Sequence, residues 1–233
     1  MAIADLRRDY RAGGLDRQEL AADPLAQFQH WFNAAATQSG SRWRKIGIAL
    51  FKLWHAILGH APTDVNAMVL ATTTGTGQPS ARTVLLKGVD PRGFIFFTNY
   101  DSRKGQELAG NSNAALVFYW PELERQVCVA GAVTKLPVDE SETYFQSRPR
   151  GSQLGAWASN QSTVVESRKV LDEKWREVAA RFPLQVPRPP NWGGFVLSPT
   201  RLEFWQGRAS RLHDRFCYTK LDDGTWQIER LSP

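Results

Sequence analysis

The sequence of 233 residues has only two cysteines and no long apolar run. Cys128 and Cys217 stand alone without a C-x-x-C partner, so two buried, reduced thiols are favoured over a disulfide and a cytoplasmic location is expected. No run of about 18 apolar residues occurs, which argues against a membrane-spanning helix. The N-terminus also lacks the apolar segment of a secretory signal.

Several catalytic and nucleotide-binding motifs are missing as well. The chain contains no G-x-S-x-G, no P-loop and no G-x-G-x-x-G, so hydrolase, P-loop and Rossmann functions lack support. His55 and His60 are five residues apart and have no carboxylate or cysteine ligands nearby, so no metal site is predicted.

Basic residues outnumber acidic ones, 29 to 23, which leaves a formal charge of +6. Nucleic-acid binding would fit this excess, but the basic residues are spread along the chain and no zinc-finger or RNP spacing appears. Arginine and lysine instead cluster beside serine, tyrosine and glycine in short turns. We therefore expect anionic small molecules as ligands and no nucleic acid.

Apolar segments separated by turn residues predict a mainly antiparallel sheet or barrel surrounded by helices, an α+β fold. Asp223-Gly224 is expected to turn the final hairpin. The predicted strands are residues 66–74, 81–89, 94–99, 113–120, 125–136, 193–198, 201–207, 215–220 and 225–231.

Helix signals occur at four places. Asp23 and Pro24 suit an N-cap and a first helical position, and we expect this helix to end near residues 39–40. A capping-box pattern, Thr163 with Glu166, opens the longest later helix. This helix is predicted over residues 163–182, and two shorter helices are predicted over residues 102–109 and 139–146. We predict residues 1–22 to be a mobile arm or lid and residues 23–233 to be a single domain.

Three segments combine cations with hydroxyl groups. Arg82 and Lys87 are five positions apart, so a regular strand would point them to opposite faces unless it twists or bulges. Residues 98–105 lie where a strand passes into a helix and form either a phosphate cradle or a plain N-cap. Tyr144 and Arg148 share a helical face before Pro149. Ser152 follows, so these groups can converge on one dianion.

The segment RLHDR places Arg211, His213 and Arg215 beside one carboxylate within five residues. Like charges at this density repel one another unless an anionic or electron-rich ligand compensates them. Together with the two other anion-suited segments, it suggests a protein that holds two phosphorylated small molecules side by side.

The segments RTVLLK, FFTNYDSRKG, ERQV, SRPRGSQLGAW, EFWQG and RLHDR follow one another along the chain. In this order they resemble the pyridoxine/pyridoxamine 5′-phosphate oxidase family of flavin enzymes. The resemblance implies an FMN-binding split β-barrel that forms a homodimer with FMN at the subunit interface. It also implies oxidation of pyridoxamine or pyridoxine 5′-phosphate to pyridoxal 5′-phosphate, with oxygen as electron acceptor and hydrogen peroxide as product.

The resemblance also implies roles for individual residues. FMN contacts are expected from Arg82, Lys87, Phe97, Thr98, Ser102, Arg103, Lys104, Gln126, Gln161, Ser162, Trp205 and Arg215. The substrate phosphate is expected to meet Lys87, Tyr144, Arg148 and Ser152. Arg211 and His213 would lie beside the pyridine ring as catalytic residues. Arg7 and Tyr10 would belong to a lid over the substrate.

One segment departs from the family pattern. Residues 41–60 are amphipathic, basic and free of acidic residues, and we predict an extra helix at about residues 42–59. Such a helix either packs on the barrel or across the dimer, or binds a membrane surface or a partner, or is disordered. Two other functions stay open for the whole chain: another flavin split-barrel oxidoreductase, and a non-catalytic pyridoxal phosphate binder.

Overall fold

The structure is a computed structural model that describes residues 3–5, 9–11, 13–44 and 64–233. Within these ranges the helices are Pro24–Arg44 (α1), Arg103–Gly110 (α2), Val138–Ser147 (α3), Arg150–Ala158 (α4) and Arg168–Arg181 (α5). The strands are Ala67–Thr73 (β1), Pro79–Leu85 (β2), Gly88–Asp90 (β3), Gly93–Asn99 (β4), Asn113–Trp120 (β5), Arg125–Lys135 (β6), Trp192–Gln206 (β7), Asp214–Lys220 (β8) and Trp226–Leu231 (β9).

Hydrogen bonding orders the strands β2-β1-β5-β6-β7-β4-β3, with β8 on β7 and β9 on β8. The pairs β3–β4, β4–β7, β7–β8 and β8–β9 are antiparallel, as the turn spacing predicted. The chain folds into two compact units. The first unit comprises residues 1–69, 116–130 and 199–233, and the second unit comprises residues 70–115 and 131–198.

The core of the first unit forms between α1 and aromatic residues of the sheet. Asp23 caps α1 by accepting hydrogen bonds from the backbone N–H groups of Leu25 and Ala26, which confirms the predicted helix start. The buried Phe28 ring lies 4.8 Å from that of Phe118. Burial of these apolar side chains holds the helix on the sheet.

The core of the second unit is built from Phe145, Leu154, Val186 and Trp192. These residues come from α3, α4, the proline-rich loop of residues 183–191 and the start of β7. Phe97 and Tyr144 pack against the cluster and are partly buried. The apolar core thus lies directly beside two predicted ligand-contacting residues.

Two predicted boundaries in the first half of the chain were wrong. Helix α1 does not end near residues 39–40 but continues to Arg44, since a single glycine inside a helix costs only about 1 kcal/mol. The predicted strand 81–89 is two strands, β2 and β3, separated by Leu86 and Lys87. At this break the backbone N–H of Lys87 donates to the carbonyl of Ile95 at 2.8 Å.

The helices after Pro149 also differ from expectation. No helix was predicted at Arg150–Ala158, yet α4 begins there with Pro149 as its N-cap residue, because the fixed φ of proline suits a helix start. Helix α5 begins at Arg168, not at 163. The Thr163 hydroxyl donates to the Asn160 carbonyl at 2.7 Å, so the predicted capping box is absent there.

Arg7 and most of the predicted extra helix at 42–59 lie outside the described residues. Both cysteines are free thiols, with Cys217 buried and Cys128 partly buried. None of the helices in the described ranges combines the length and apolar character needed to cross a membrane. The arrangement of residues 1–22 as a lid and 23–233 as one domain stays a prediction.

Candidate functional site

The second unit contains a cavity of about 930 Å³, within the size range of small-molecule sites. It is lined by residues of β2, β4 and the helices α2 to α4. Most of the residues expected to contact a flavin or a substrate phosphate lie here. They are Arg82, Lys87, Phe97, Thr98, Arg103, Lys104, Tyr144, Arg148, Ser152, Gln161 and Ser162.

The break between β2 and β3 answers the question that the strand pattern left open. Arg82 lies within β2, whereas Lys87 lies in the interruption that follows it. Both residues line the same cavity, together with the consecutive residues of β2 from Ser80 to Leu85. Arg82 is partly buried and Lys87 is exposed.

Lys104 is a buried cation held by neutral groups. Its Nζ atom lies 3.2 Å from Thr98 Oγ1, 3.3 Å from Ser102 Oγ and 3.0 Å from Gln161 Oε1. Burial, followed by the nearby Arg82, lowers the pKa of Lys104. No carboxylate forms an ion pair with this ammonium group among the described residues. A buried ammonium group surrounded by neutral oxygens suits an anionic ligand.

Ser102 explains how this ammonium group is positioned. Its buried side chain caps α2 by accepting from the backbone N–H of Gly105. A side chain at position 105 would collide with the carbonyl oxygen of Tyr100, so only glycine allows this approach. The N-cap considered for residues 98–105 is thus present, and the phosphate cradle considered for the same residues stays a prediction.

Glu107 was not predicted as a site residue, although its carboxylate lies beside the cationic residues Arg82 and Arg103. Its Oε2 atom is 3.0 Å from Arg82 Nη2, and its Oε1 atom is 2.9 Å from Arg103 Nε. Thr72 and Ser80 also donate to it. Although burial acts to raise it, these hydrogen bonds lower the pKa of Glu107 to about 2. The i, i+4 spacing of Arg103 and Glu107 was a signal for this contact.

An aromatic stack forms another wall of the cavity. The Phe97 ring lies 3.8 Å from the Tyr144 ring at 22° and 5.6 Å from the Trp192 ring at 14°. The guanidinium carbon of Arg148 is 4.6 Å from the centre of the Trp192 ring. Trp192 was not predicted as a site residue, because one of nine tryptophans carries little signal.

Arg148 has a buried nitrogen, Nη1, with no hydrogen-bond partner in the described part of the chain. Burial lowers the pKa of this guanidinium group. An unsatisfied buried donor costs about 1–3 kcal/mol, or more when charged. A phosphate or carboxylate in the cavity would remove that cost. Ser152, exposed in the first turn of α4, lines the same cavity.

The remaining described site residues lie in the first unit. The rings of Tyr10, Trp205 and His213 contact one another, with centroids 4.6 to 5.5 Å apart. A side chain at Gly207 would come within 2.7 Å of the Tyr10 ring, so glycine is required for this packing. These three residues were predicted from separate motifs, and the structure brings them together.

The tautomer of His213 is set by the backbone. Its Nδ1 atom accepts a hydrogen bond from the N–H of Arg208 at 3.0 Å. Burial, and then the charge of Arg211, lower the pKa of His213. A neutral imidazole whose Nδ1 is an acceptor carries its proton on Nε2. His213 can therefore donate a hydrogen bond from Nε2 to a ligand.

Arg211 and Arg215 differ in environment. Arg211 is exposed and has a left-handed backbone, φ 62°, as does Ser210 at 57°, a conformation that is costly for non-glycine residues and often marks functional segments. Arg215 instead forms an ion pair with Glu203 at 2.9 Å. Gln126, another expected flavin contact of the first unit, donates a hydrogen bond to the Cys128 sulfur at 3.4 Å.

Two family models match the chain. Residues 60–182 match the model described as pyridoxamine 5′-phosphate oxidase. Residues 192–233 match the one described as the pyridoxine 5′-phosphate oxidase C-terminal dimerisation region.

Two similar relatives are both named pyridoxine/pyridoxamine 5′-phosphate oxidase. The protein of Nostoc punctiforme is 52% identical over 232 residues, which cover 99% of this chain and 98% of that protein. The protein of Cupriavidus pinatubonensis is 52% identical over 231 residues, which cover 99% of both chains.

Solved structures share the fold. PhzG from Burkholderia lata, in complex with tetrahydrophenazine-1-carboxylic acid, is 27% identical with a TM-score of 0.78, covering 93% of this chain and 95% of PhzG. A pyridoxamine 5′-phosphate oxidase-related, FMN binding protein from Nostoc punctiforme is 19% identical with a TM-score of 0.60, covering 77% of this chain and 97% of that protein. The predicted fold class, a mainly antiparallel split β-barrel with surrounding helices, is confirmed.

Proposed function

The chain belongs to the pyridoxine/pyridoxamine 5′-phosphate oxidase family, and on that premise we propose that it is an FMN-dependent oxidase. Its substrate would be pyridoxamine or pyridoxine 5′-phosphate and its product pyridoxal 5′-phosphate. The substrate loses two electrons and two protons at its 4′ position, and molecular oxygen finally takes them up to give hydrogen peroxide. The alcohol gives the aldehyde directly, whereas the amine gives an imine that takes up water and releases ammonia.

The observation that carries this proposal is the buried Nη1 atom of Arg148, which has no hydrogen-bond partner among the residues that the structure describes and lies in the same cavity as the buried Lys104. Each of the two ligands has one phosphate group, and each phosphate needs its own cationic donors. Lys104, with Arg82, Arg103, Gln161 and Ser162, would hold the phosphate of FMN. Arg148, with Tyr144, Ser152 and Lys87, would hold the phosphate of the substrate.

FMN, when bound, supplies the two-electron redox chemistry. The protein orients the substrate so that its 4′ carbon faces the flavin and keeps water away from both rings. The stacked rings of Phe97, Tyr144 and Trp192 provide a rigid apolar wall for this purpose.

We assign the ring-facing roles to residues of the first unit. His213 would donate from Nε2 to a ring substituent of the substrate, and Arg211 would orient the ring and favour negative charge on the reduced flavin. Tyr10 and Arg7 would form the lid. Gln126, Trp205 and Arg215 would contact the flavin in a homodimer, which the match of residues 192–233 to a dimerisation region supports. We also propose a cytoplasmic location.

The absorption spectrum of the purified protein tests the proposal. We expect flavin bands, bleaching of these bands when pyridoxamine 5′-phosphate is added without oxygen, and peroxide release when oxygen is admitted. A colourless protein that still binds pyridoxal 5′-phosphate would contradict the enzyme and indicate a non-catalytic binder. Flavin bands that the phosphorylated amine does not bleach would contradict the substrate.

The likeness to PhzG, solved with a tetrahydrophenazine carboxylic acid, favours a second candidate. In that case the chain would be a flavin oxidoreductase for a non-phosphorylated carboxylic acid, whose carboxylate would meet Arg148. Comparing anaerobic bleaching by pyridoxamine 5′-phosphate with bleaching by tetrahydrophenazine-1-carboxylic acid separates the two. Bleaching by the carboxylic acid and not by the phosphorylated amine would favour the second candidate.

A further inference from the structure

The buried carboxylate of Glu107 lies behind the cationic residues that line the cavity. Its side chain is 5% exposed and accepts hydrogen bonds from four side chains. Two of these donors, Arg82 and Arg103, line the cavity. Glu107 therefore contacts the cationic surface of the cavity from behind.

The contacts of Glu107 restrict the orientation of Arg82. The Nη2 atom of Arg82 donates to the Glu107 carboxylate at 3.0 Å and also contacts Ser80. Its Nη1 atom donates to the Leu70 carbonyl at 3.2 Å and to Thr72. Since Thr72 and Ser80 donate in turn to Glu107, the guanidinium plane is held before any ligand arrives. Such preorganisation reduces the side-chain entropy lost on binding.

Charge balance is the second consequence of this contact. Arg82, Arg103 and Lys104 carry three positive charges close together, and Glu107 reduces the net charge of the cluster to two. A phosphate monoester carries about −1.5 to −2 charges at neutral pH. The cluster is therefore matched to a terminal phosphate group and not to a singly charged anion.

We propose that Glu107 is a positioning residue that orients Arg82 and Arg103 and matches their cluster to the phosphate monoester of the flavin. This inference rests on the proposed function, since it takes FMN as the ligand. Glu107 itself need not touch the ligand. It acts through the two arginines.

The test compares the affinities of FMN and riboflavin, which differ only by the phosphate, in apoprotein titrations followed by flavin fluorescence. In Glu107→Gln we expect FMN affinity to fall by about tenfold or more, because hydrogen bonds to charged groups are worth that much. Riboflavin affinity should stay within about twofold of the wild type, since no phosphate is involved. The matched control is Glu173→Gln, which removes an exposed i, i+4 partner of Lys169 in α5. It should bind both flavins as the wild type does.

A double-mutant cycle shows whether Glu107 acts through Arg82. In an Arg82→Ala background, Glu107→Gln should cost much less FMN affinity than it does alone. Full additivity of the two changes would overturn the proposal. So would an equal loss of FMN and riboflavin affinity in Glu107→Gln, because a purely structural role would weaken both.

A milder variant covers the case in which Glu107→Gln does not fold. Thr72→Val removes one donor to the carboxylate and should cause a smaller loss of affinity confined to FMN. An unchanged FMN preference in Thr72→Val would then overturn the role of Glu107.

The wild-type protein separates a failure of the proposed function from a failure of the inference about Glu107. If it binds FMN no better than riboflavin, the proposed function fails. If it prefers FMN and Glu107→Gln does so equally, only the inference about Glu107 fails.

Discussion

The two units pair their basic residues with acids in different ways. In the first unit, Arg215 forms an ion pair with Glu203 at 2.9 Å, and Arg230 forms one with Asp214 at 2.6 Å. In the second unit, Lys104 meets only neutral oxygens, and Arg148 keeps a buried nitrogen without a partner in the described residues. Arg215 and Arg230 of the first unit are thus neutralised within the protein. Lys104 and Arg148 of the second unit are available to an anion, although their neighbours Arg82 and Arg103 pair with Glu107.

This difference changes the meaning of the RLHDR segment. Its density of positive charge pointed to an anionic or electron-rich ligand, but Glu203 neutralises Arg215. Asp214 of the segment pairs instead with Arg208 and Arg230. What distinguishes the segment is the ring cluster of Tyr10, Trp205 and His213. It is suited to a flat heterocycle more than to a phosphate.

The largest effect is expected at Arg148, whose buried Nη1 has no hydrogen-bond partner within the described ranges. Arg148→Ala should lower kcat/KM for pyridoxamine 5′-phosphate by about 100-fold or more, because it removes a buried charged donor to the phosphate. Steady-state peroxide release measures this. Arg168→Ala, which breaks an exposed ion pair with Asp172, is the matched control and should behave as the wild type does. Similar losses in both variants would remove the distinction between free and paired arginines.

A smaller effect is expected for the exposed arginine of the first unit. Arg211→Ala should lower kcat by about 10- to 100-fold through loss of one oriented donor, with less effect on FMN affinity. Stopped-flow flavin reduction and FMN titration measure the two quantities separately. Normal turnover at saturating substrate would show that Arg211 has no catalytic role.

His213 tests the role of the first unit as a hydrogen-bond donor. Burial and Arg211 lower the pKa of His213 below its ordinary value of 6.5, so the neutral ring predominates above that pH. Its titration should then change kcat/KM little as the pH rises from 7 to 8. His213→Gln, which can place an N–H near Nε2, should retain more activity than His213→Asn, by about threefold to tenfold. A rate that rises through this pH range in the wild type, but not in His213→Gln, would indicate a base instead.

The smallest effect concerns stability in the second unit. The pKa of Glu107 is lowered from 4.5 to about 2, so its contribution to stability is complete above the unfolded value and is lost as the pH falls towards about 2. Above pH 5 the Tm of Glu107→Gln should be lower than that of the wild type by about a few degrees. The gap should narrow as the pH falls towards 3. Thermal unfolding of both apoproteins at several pH values measures it, and a constant gap would contradict the ionised, bonded state of Glu107.

Local patterns predicted most strands and the start of α1, because alternation, turn residues and an N-cap act within a few residues. They failed where neighbours in space decided the outcome. Alternation alone does not predict the interruption at Leu86 and Lys87, where the Lys87 N–H donates to the Ile95 carbonyl of another strand. The pattern around Pro149 predicts only a helix end, although this proline also begins α4.

The chain order of unusual motifs was enough to identify the family, the split barrel and most residues that line the cavity, since motif letters and spacing are properties of the sequence itself. Which cations are free and which are neutralised was decided only by folding. Arg82 and Glu107 are 25 positions apart, and no local rule pairs them. Coulomb and hydrogen-bond energies fall steeply with distance, so they depend on proximity in space. Tertiary packing alone brought Glu107 behind Arg82 and left Arg148 Nη1 buried without a hydrogen-bond partner in the described residues.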